Sequence, residues 1–198
     1  MKNFIKEWGL FILFILIFGI SRLTYWQPVR VDGHSMDPTL AHNERLIVLR
    51  HTKINRFDVV VAKEEEEDGQ TKEIVKRVIG LPGDTISFKN DMLSINGKET
   101  QEPYLKEYLA AFQEDKLEKT YSYNTLFQEL AKSANAFTVD SSGRTEFSIT
   151  VPKGEYFLLG DDRIVSRDSR EVGTFKKTDL IGKVKLRYWP INKFHIFQ

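Results

Sequence analysis

Ser35 sits in the stretch VDGHSMDPTL, directly after His34 and two positions before Asp37. A serine hydroxyl becomes a nucleophile only when a nearby base takes its proton, so the stretch raises the question of which base serves. His34 is a poor choice, because adjacent side chains on an extended or turn segment diverge. His42, His51 and His195 have no companion acid in a recognisable arrangement, and a Ser/His/Asp triad is therefore not supported. No HExxH or paired-histidine motif points to a metal, and no cofactor is implied.

A second base is available in EIVKRVIG, residues 73–80. Strand alternation puts Ile74, Lys76 and Val78 on one face and Glu73, Val75, Arg77 and Ile79 on the other. Lys76 is then the only charged residue among apolar neighbours on its face. Loss of solvation penalises an ammonium and lowers its pKa from about 10.4, by as much as about 3–5 units at full burial. A neutral amine is a general base. From the strand alone a second reading stays open and is the commoner one, a lysine that snorkels to water beside Arg77.

The elements that must position these residues are mostly short β runs after Pro28. They are RLIVLR (45–50), FDVVVAK (57–63), EIVKRVIG, DTISFKN (84–90), MLSING (92–97), EFSITV (146–151), EYFLLG (155–160) and LIGKVKLRYW (180–189). Pro82-Gly83, Asn96-Gly97 and Ser142-Gly143 punctuate them as turns. Between Pro103 and Ala136 the period changes to a helical one, in LKEYLAAFQEDKLEK and TLFQELAKSA. Residues 99–145 thus read as a small inserted cap on a mainly β, antiparallel domain. The acidic run Glu64–Asp68 reads as a solvated hairpin tip, since it lacks the spacing of a calcium loop. The chain has 198 residues, enough for one domain with a real core. Its 29 Lys+Arg and 28 Asp+Glu leave a net +1, so bulk charge recommends no nucleic-acid partner. With no cysteine, disulfides, thiolate metal sites and a cysteine nucleophile are excluded.

WGLFILFILIFGI, from Trp8 to Ile20, carries no charge. A helix continuing to Trp26 spans roughly 28 Å, close to a hydrocarbon core of about 30 Å if Arg22 snorkels. A cleaved secretory signal is the alternative, with Gly19-Ile20-Ser21 as small residues near its end. The aromatic pair Tyr25 and Trp26 favours an anchor held at the interface. Residues 1–27 are therefore read as a membrane anchor and 28–198 as the β-rich domain it carries.

GHSMDPTL, IVKRVIGLPGD and GDDRIVSRDSREVG follow one another, in that order, on a chain with an N-terminal anchor. In this conjunction the chain resembles type I signal peptidases, in particular the compact single-span enzymes of Gram-positive bacteria. The resemblance runs from the anchor to Trp189. It implies a Ser/Lys dyad, with Ser35 as nucleophile and Lys76 as general base, which cuts signal peptides from secretory preproteins after small residues through an acyl-enzyme. It further implies that the Ser166 hydroxyl bonds the Lys76 amine and that Asp168 and Arg170 form a supporting ion pair. Gly33 stands where many Gram-negative relatives carry a hydroxyl that helps hold the oxyanion, so backbone N–H groups, chiefly that of Ser35, would take that role here. Asp161, Asp162 and Arg163 read as scaffolding within a charged loop. Asp162 in the usual asparagine position and Val165 before Ser166 are further departures outside the dyad.

The implied location is the cell membrane, single-pass, with the N-terminus cytoplasmic and the catalytic domain extracellular. The bilayer and the secretion machinery would then be neighbours. Met36 and Leu40 remain open between core packing and an apolar surface with shallow substrate pockets. Two rivals share parts of the pattern. Self-cleaving repressors use Ser/Lys chemistry on related β folds but carry a DNA-binding module in place of the membrane span. An inactive assembly or chaperone factor for surface structures would not need to keep both Ser35 and Lys76.

Overall fold

The apolar run after Glu7 folds as a helix because no proline or charge interrupts it, and it stops short of Pro28, whose ring disfavours a helical conformation in the residue before it. In a computed structural model, which describes residues 2–66 and 68–197, this helix is α1 (Lys2–Thr24). Its window Glu7–Thr24 is long and apolar enough to cross a membrane, and its side chains from Trp8 to Leu23 are largely uncovered by the rest of the protein. The helix is shorter than the sequence suggested. Trp26 is not its last residue but the first of strand β1 (Trp26–Arg30), so the 27/28 boundary falls inside that strand. A tryptophan suits a membrane interface and a half-buried strand equally well.

Then follow β2 (Arg45–Leu49), β3 (Val59–Glu65), β4 (Thr71–Gly80), β5 (Thr85–Lys89), β6 (Met92–Ile95), β7 (Lys98–Thr100), α2 (Lys106–Asp115) and α3 (Thr125–Ser133). The chain closes with β8 (Glu146–Thr150), β9 (Glu155–Leu159), the short α4 (Ser169–Val172), β10 (Phe175–Lys176), β11 (Leu180–Trp189) and β12 (His195–Ile196). All strand pairs are antiparallel. One sheet has the order β1-β2-β11-β3-β4-β9-β10, with β12 added to β11, and the second has the order β7-β6-β5-β8. Pro28 is tolerated because β1 lies at a sheet edge and pairs only with β2.

The helical insertion leaves the second sheet after β7 and returns to it at β8. It has its own core of Leu105, Phe112, Leu117, Tyr121, Ala131 and Phe137. Amphipathic spacing produces this, since α2 and α3 each place apolar residues toward that centre. Met36 and Leu40 resolve as core: they are 1% and 0% exposed, packed with Leu46, Val48, Val59, Val61 and Val184. Burying such a side chain stabilises by about 1.5–3 kcal/mol. Their burial pins the part of the turn that follows Ser35.

The acidic run is only partly a solvated tip. Glu64 is the sixth residue of β3 and is buried, with Oε1 3.4 Å from Arg167 Nε. Glu65, Glu66 and Asp68 do follow it toward solvent, and Glu67 lies outside the described residues.

Candidate active site

Ser35 projects from a turn between β1 and β2. Asp37 N–H donates to His34 O at 3.1 Å and Leu40 N–H to Met36 O at 2.9 Å, which winds residues 34–40 tightly. Gly33 enters this turn at φ +89, a conformation that any side chain would strain. Its N–H donates to His42 Nδ1 at 3.1 Å and is thereby occupied. His34 Nδ1 lies 2.9 Å from Asp37 Oδ2 and 3.3 Å from Tyr123 Oη, and among the described residues it makes no hydrogen bond to Ser35.

Strand β4 brings the lysine. Paired in register with β3 as Val60↔Lys76, it sets Lys76 between Ile74 and Val78, both members of the apolar cluster with Val60, Ala62 and Leu158. Lys76 is 4% exposed and its Nζ stands 2.9 Å from Ser35 Oγ. Burial pulls the ammonium below the usual lysine range. The negative charges of Asp168, Glu64 and Asp161 oppose that shift, and Arg170 adds to it. The alternation in the sequence put Lys76 on an apolar face, and the snorkelling alternative is not what the fold does.

The loop after β9 forms the wall behind both residues. A Cβ on Gly160 would collide with Ser35 O and with the Ser166 side chain, so only glycine lets the loop approach this closely. Asp162 N–H donates to Ser35 O at 3.1 Å. Asp168 and Arg170 form the expected ion pair, at 2.8 Å between Nε and Oδ1. Asp168 Oδ2 also accepts from Gly160 N–H at 3.0 Å, and Arg170 reaches the carbonyls of Arg163, Ser166 and Val139. Burial opposes charge on Asp168, but Arg170 and the Gly160 N–H hold its carboxyl below the usual range.

Ser166 departs from expectation. Its Oγ is buried and has no hydrogen-bond partner among the described residues, so the bond to the Lys76 amine is not made here. The three charged residues before it are also not a self-contained set. Asp161 is held by Arg77 through two bonds of 2.7 and 2.6 Å, and Thr39 donates to it as well. Arg163, wholly buried, pairs with Glu102 at the root of the insertion and donates to Gly160 O at 2.8 Å. Asp162 Oδ1 accepts from Tyr121 Oη at 2.5 Å. Burial, with Asp37 nearby, pushes the Asp162 carboxyl up to about 7 against the bonds it accepts from Tyr121, Ile164 and Val165.

Ser35 and Lys76 open on a cleft of about 540 Å³, also lined by Pro28, Val29, Arg30, Ile74, Val75 and Val165. Strand β1 pairs on one side only, and β4 pairs with β9 only from Arg77 onward, so both strands bring unpaired backbone edges to the cleft. Gln27 Nε2 bridges the two strands by donating to Glu73 Oε2 at 3.3 Å. Among the described residues no group of three or more histidines and carboxylates could hold a metal ion.

Residues 5–189 match the family described as signal peptidase, peptidase S26. The chain belongs to that family. It is 57% identical over 203 residues to signal peptidase I of Streptococcus pneumoniae, covering 99% of this chain and 98% of that one. It is 35% identical over 200 residues to signal peptidase IB of Staphylococcus aureus, covering 98% and 94%. A crystal structure of a signal peptidase I from Enterococcus faecalis aligns at 28% identity and TM-score 0.46, over 67% of this chain and 97% of that one. By the family match and the two curated relatives the chain is an S26 peptidase of the signal peptidase I class; its described residues are mainly antiparallel β with one apolar N-terminal helix. Tyr121, Thr39 and Glu102 escaped sequence reasoning, because nothing in their local spacing links them to the loop after β9.

Proposed function

We propose that this S26 peptidase cleaves signal peptides from exported preproteins with Ser35 as nucleophile and Lys76 as general base. The observation that carries the reading is the 2.9 Å approach of a buried, desolvated Lys76 amine to Ser35 Oγ. As a neutral amine, Lys76 accepts the Ser35 proton while Oγ attacks the carbonyl carbon. The Ser35 N–H, which has no hydrogen-bond partner among the described residues, supports the developing oxyanion. The transient ammonium is offset by Asp168, Glu64 and Asp161. It protonates the leaving amine, and the restored base then activates the water that releases the acyl group.

The substrate binds as an extended strand between the open edges of β1 and β4, its backbone supplying the missing pairs. Branched side chains at Val29, Ile74, Val75 and Val165 wall the cleft, which favours small residues beside the cut, as in Ala-x-Ala. Helix α1 anchors the chain in a bilayer with the N-terminus cytoplasmic, and the β domain that begins with strand β1 works outside near the secretion machinery. Asp168 and Arg170 support the loop after β9, Gly33 lets the turn form, and Ser166, on the same loop, orients the amine during turnover. An inactive assembly factor has no use for a desolvated lysine against a serine.

The test is processing of a preprotein in detergent, with alanine or tyrosine immediately before the cut and Ser35→Ala beside the wild type. Cleavage of the alanine form alone, lost in Ser35→Ala, is expected. Equal rates for alanine and tyrosine would remove the specificity, and an active Ser35→Ala enzyme would remove the mechanism.

A further inference from the structure

The helical insertion touches the nucleophile turn from two sides. On one side Tyr121, fully buried in the insertion's core, donates to Asp162 Oδ1 at 2.5 Å, and the Asp162 N–H holds Ser35 O at 3.1 Å. Ile164 and Val165, next along the same loop, pack against that core. On the other side the His34 ring lies 5.1 Å from Tyr123 and 5.9 Å, edge to face, from Phe127. Tyr123 Oη is also 3.3 Å from His34 Nδ1. Phe127 joins the two arms, with its ring 5.6 Å from Tyr121, and it is fixed by Asn124, whose side chain caps α3 by accepting from the Phe127 N–H at 3.3 Å.

We propose that residues 121–127 of the insertion position the nucleophile, Tyr121 acting through Asp162 and Tyr123 through His34 on the backbone either side of Ser35. The proposal rests on Ser35 being the nucleophile, as argued above. Tyr121 and Tyr123 touch no reacting atom and are positioning residues. A displacement of the order of 1 Å at a nucleophile can cost about a hundredfold in rate, so a hydrogen bond that holds Ser35 O matters to turnover more than to substrate affinity.

The linkage has a built-in dependence on pH. The groups facing the Asp162 carboxyl are Asp37, itself bonded to His34, on the nucleophile turn, and Tyr108, Tyr121 and Tyr123 from the insertion. Its own loop contributes the N–H groups of Ile164 and Val165. A charge on Asp162 strengthens the bond from Tyr121, since charge-assisted hydrogen bonds are about twice as strong as neutral ones. The arm through Tyr121 therefore tightens as pH rises through about 7.

The experiment measures kcat and KM on a signal-peptide substrate from pH 6 to pH 9 for wild type, Tyr121→Phe, Tyr123→Phe, Asp162→Ala, Asp162→Asn and the Tyr121→Phe/Asp162→Ala double variant, with Ser35→Ala as control. Tyr121→Phe should lower kcat about tenfold with KM within about twofold, and more above pH 7 than below it. Tyr123→Phe, on an exposed ring that folding does not need, should lower kcat about threefold. Asp162→Ala should match Tyr121→Phe without adding to it, and Asp162→Asn, which keeps an acceptor, should recover most of the loss while removing the extra pH dependence. An unchanged kcat in both tyrosine variants, or losses that are additive and equal at every pH, would overturn the positioning role while a dead Ser35→Ala enzyme left the mechanism standing. An active Ser35→Ala enzyme would instead overturn the mechanism on which the proposal rests.

Discussion

Lys76 and Arg77 are neighbours on β4, both withdrawn from water, and they point to opposite faces of the strand. On one face Lys76 has apolar neighbours and, among the described residues, a single side-chain hydrogen bond, to Ser35 Oγ. On the other, Arg77 is saturated: it makes two bonds to Asp161, one to Thr39 and one to Phe57 O, and lies 3.8 Å over the Tyr104 ring. Burial works against both cations. For Lys76 it wins and the amine becomes easier to deprotonate, while for Arg77 the bonds to Asp161 outweigh it and the guanidinium is held more firmly charged. A buried cation with a fitted anion is scaffold, and one without is a candidate base.

The largest effect expected breaks the lysine side of this pair. Lys76→Met and Lys76→Arg should each lower kcat/KM by about 10⁴-fold or more, with the fold intact by circular dichroism. Arginine keeps the charge but cannot accept a proton, its pKa being above about 12. Near-normal turnover in Lys76→Arg would mean that the position supplies charge and not proton acceptance.

The same asymmetry shows in pH. Because the Lys76 pKa is lowered, kcat/KM of the wild type should climb about tenfold per pH unit on the acid side and level off well below the range of a free lysine. A profile still rising at pH 10 would place the amine in water. The arginine side is read as stability. Arg77→Met strands Asp161 as an uncompensated buried charge, at a cost of about 3–5 kcal/mol, and should lower Tm by roughly 6–20 °C. Adding Asp161→Asn should restore part of that loss. If the double variant melts lower than Arg77→Met alone, the pair is not what holds this face.

The smallest effect concerns a carboxyl kept neutral. Asp162 has a folded pKa of about 7 against 3.8 when unfolded, so the folded state binds the extra proton between these values. Its contribution is fully present below pH 3.8 and is lost as pH rises through about 7. Asp162→Asn should flatten this window, raising Tm by a few degrees at pH 8 relative to wild type and leaving it nearly unchanged near pH 4. Parallel melting curves for the two proteins across that range would show that Asp162 is ionised throughout.

Much of the scaffold was legible because its signals are local. Period-two alternation gave β4 and put Lys76 on an apolar face, Asn96-Gly97 marked the turn between β6 and β7, and helical spacing marked α2 and α3. The rest depends on partners distant in sequence. Tyr121 lies in an irregular segment with no periodicity to orient it, and its bond to Asp162 spans two lobes. Glu64 looked like one more solvated acid until Arg167 came to it. Met36 and Leu40 follow a turn, and only the packing of β2, β3 and β11 around them decides for core. That the Ser166 hydroxyl makes no bond among the described residues has no signature in sequence at all.

A single residue, Tyr25, separates the end of α1 from the start of β1. That joint is braced, since Arg50 N–H donates to Tyr25 O at 2.8 Å and the Arg50 guanidinium reaches Leu23 O at 2.9 Å. With α1 in a bilayer, as proposed, β1 leaves the membrane surface at once and forms one wall of the cleft. On that reading the enzyme would act as a fixed-height ruler: a preprotein threaded through the same bilayer would meet Ser35 at the depth this joint sets, and the peptide bond cut would depend on the length of its own apolar segment as well as on the residues flanking the bond.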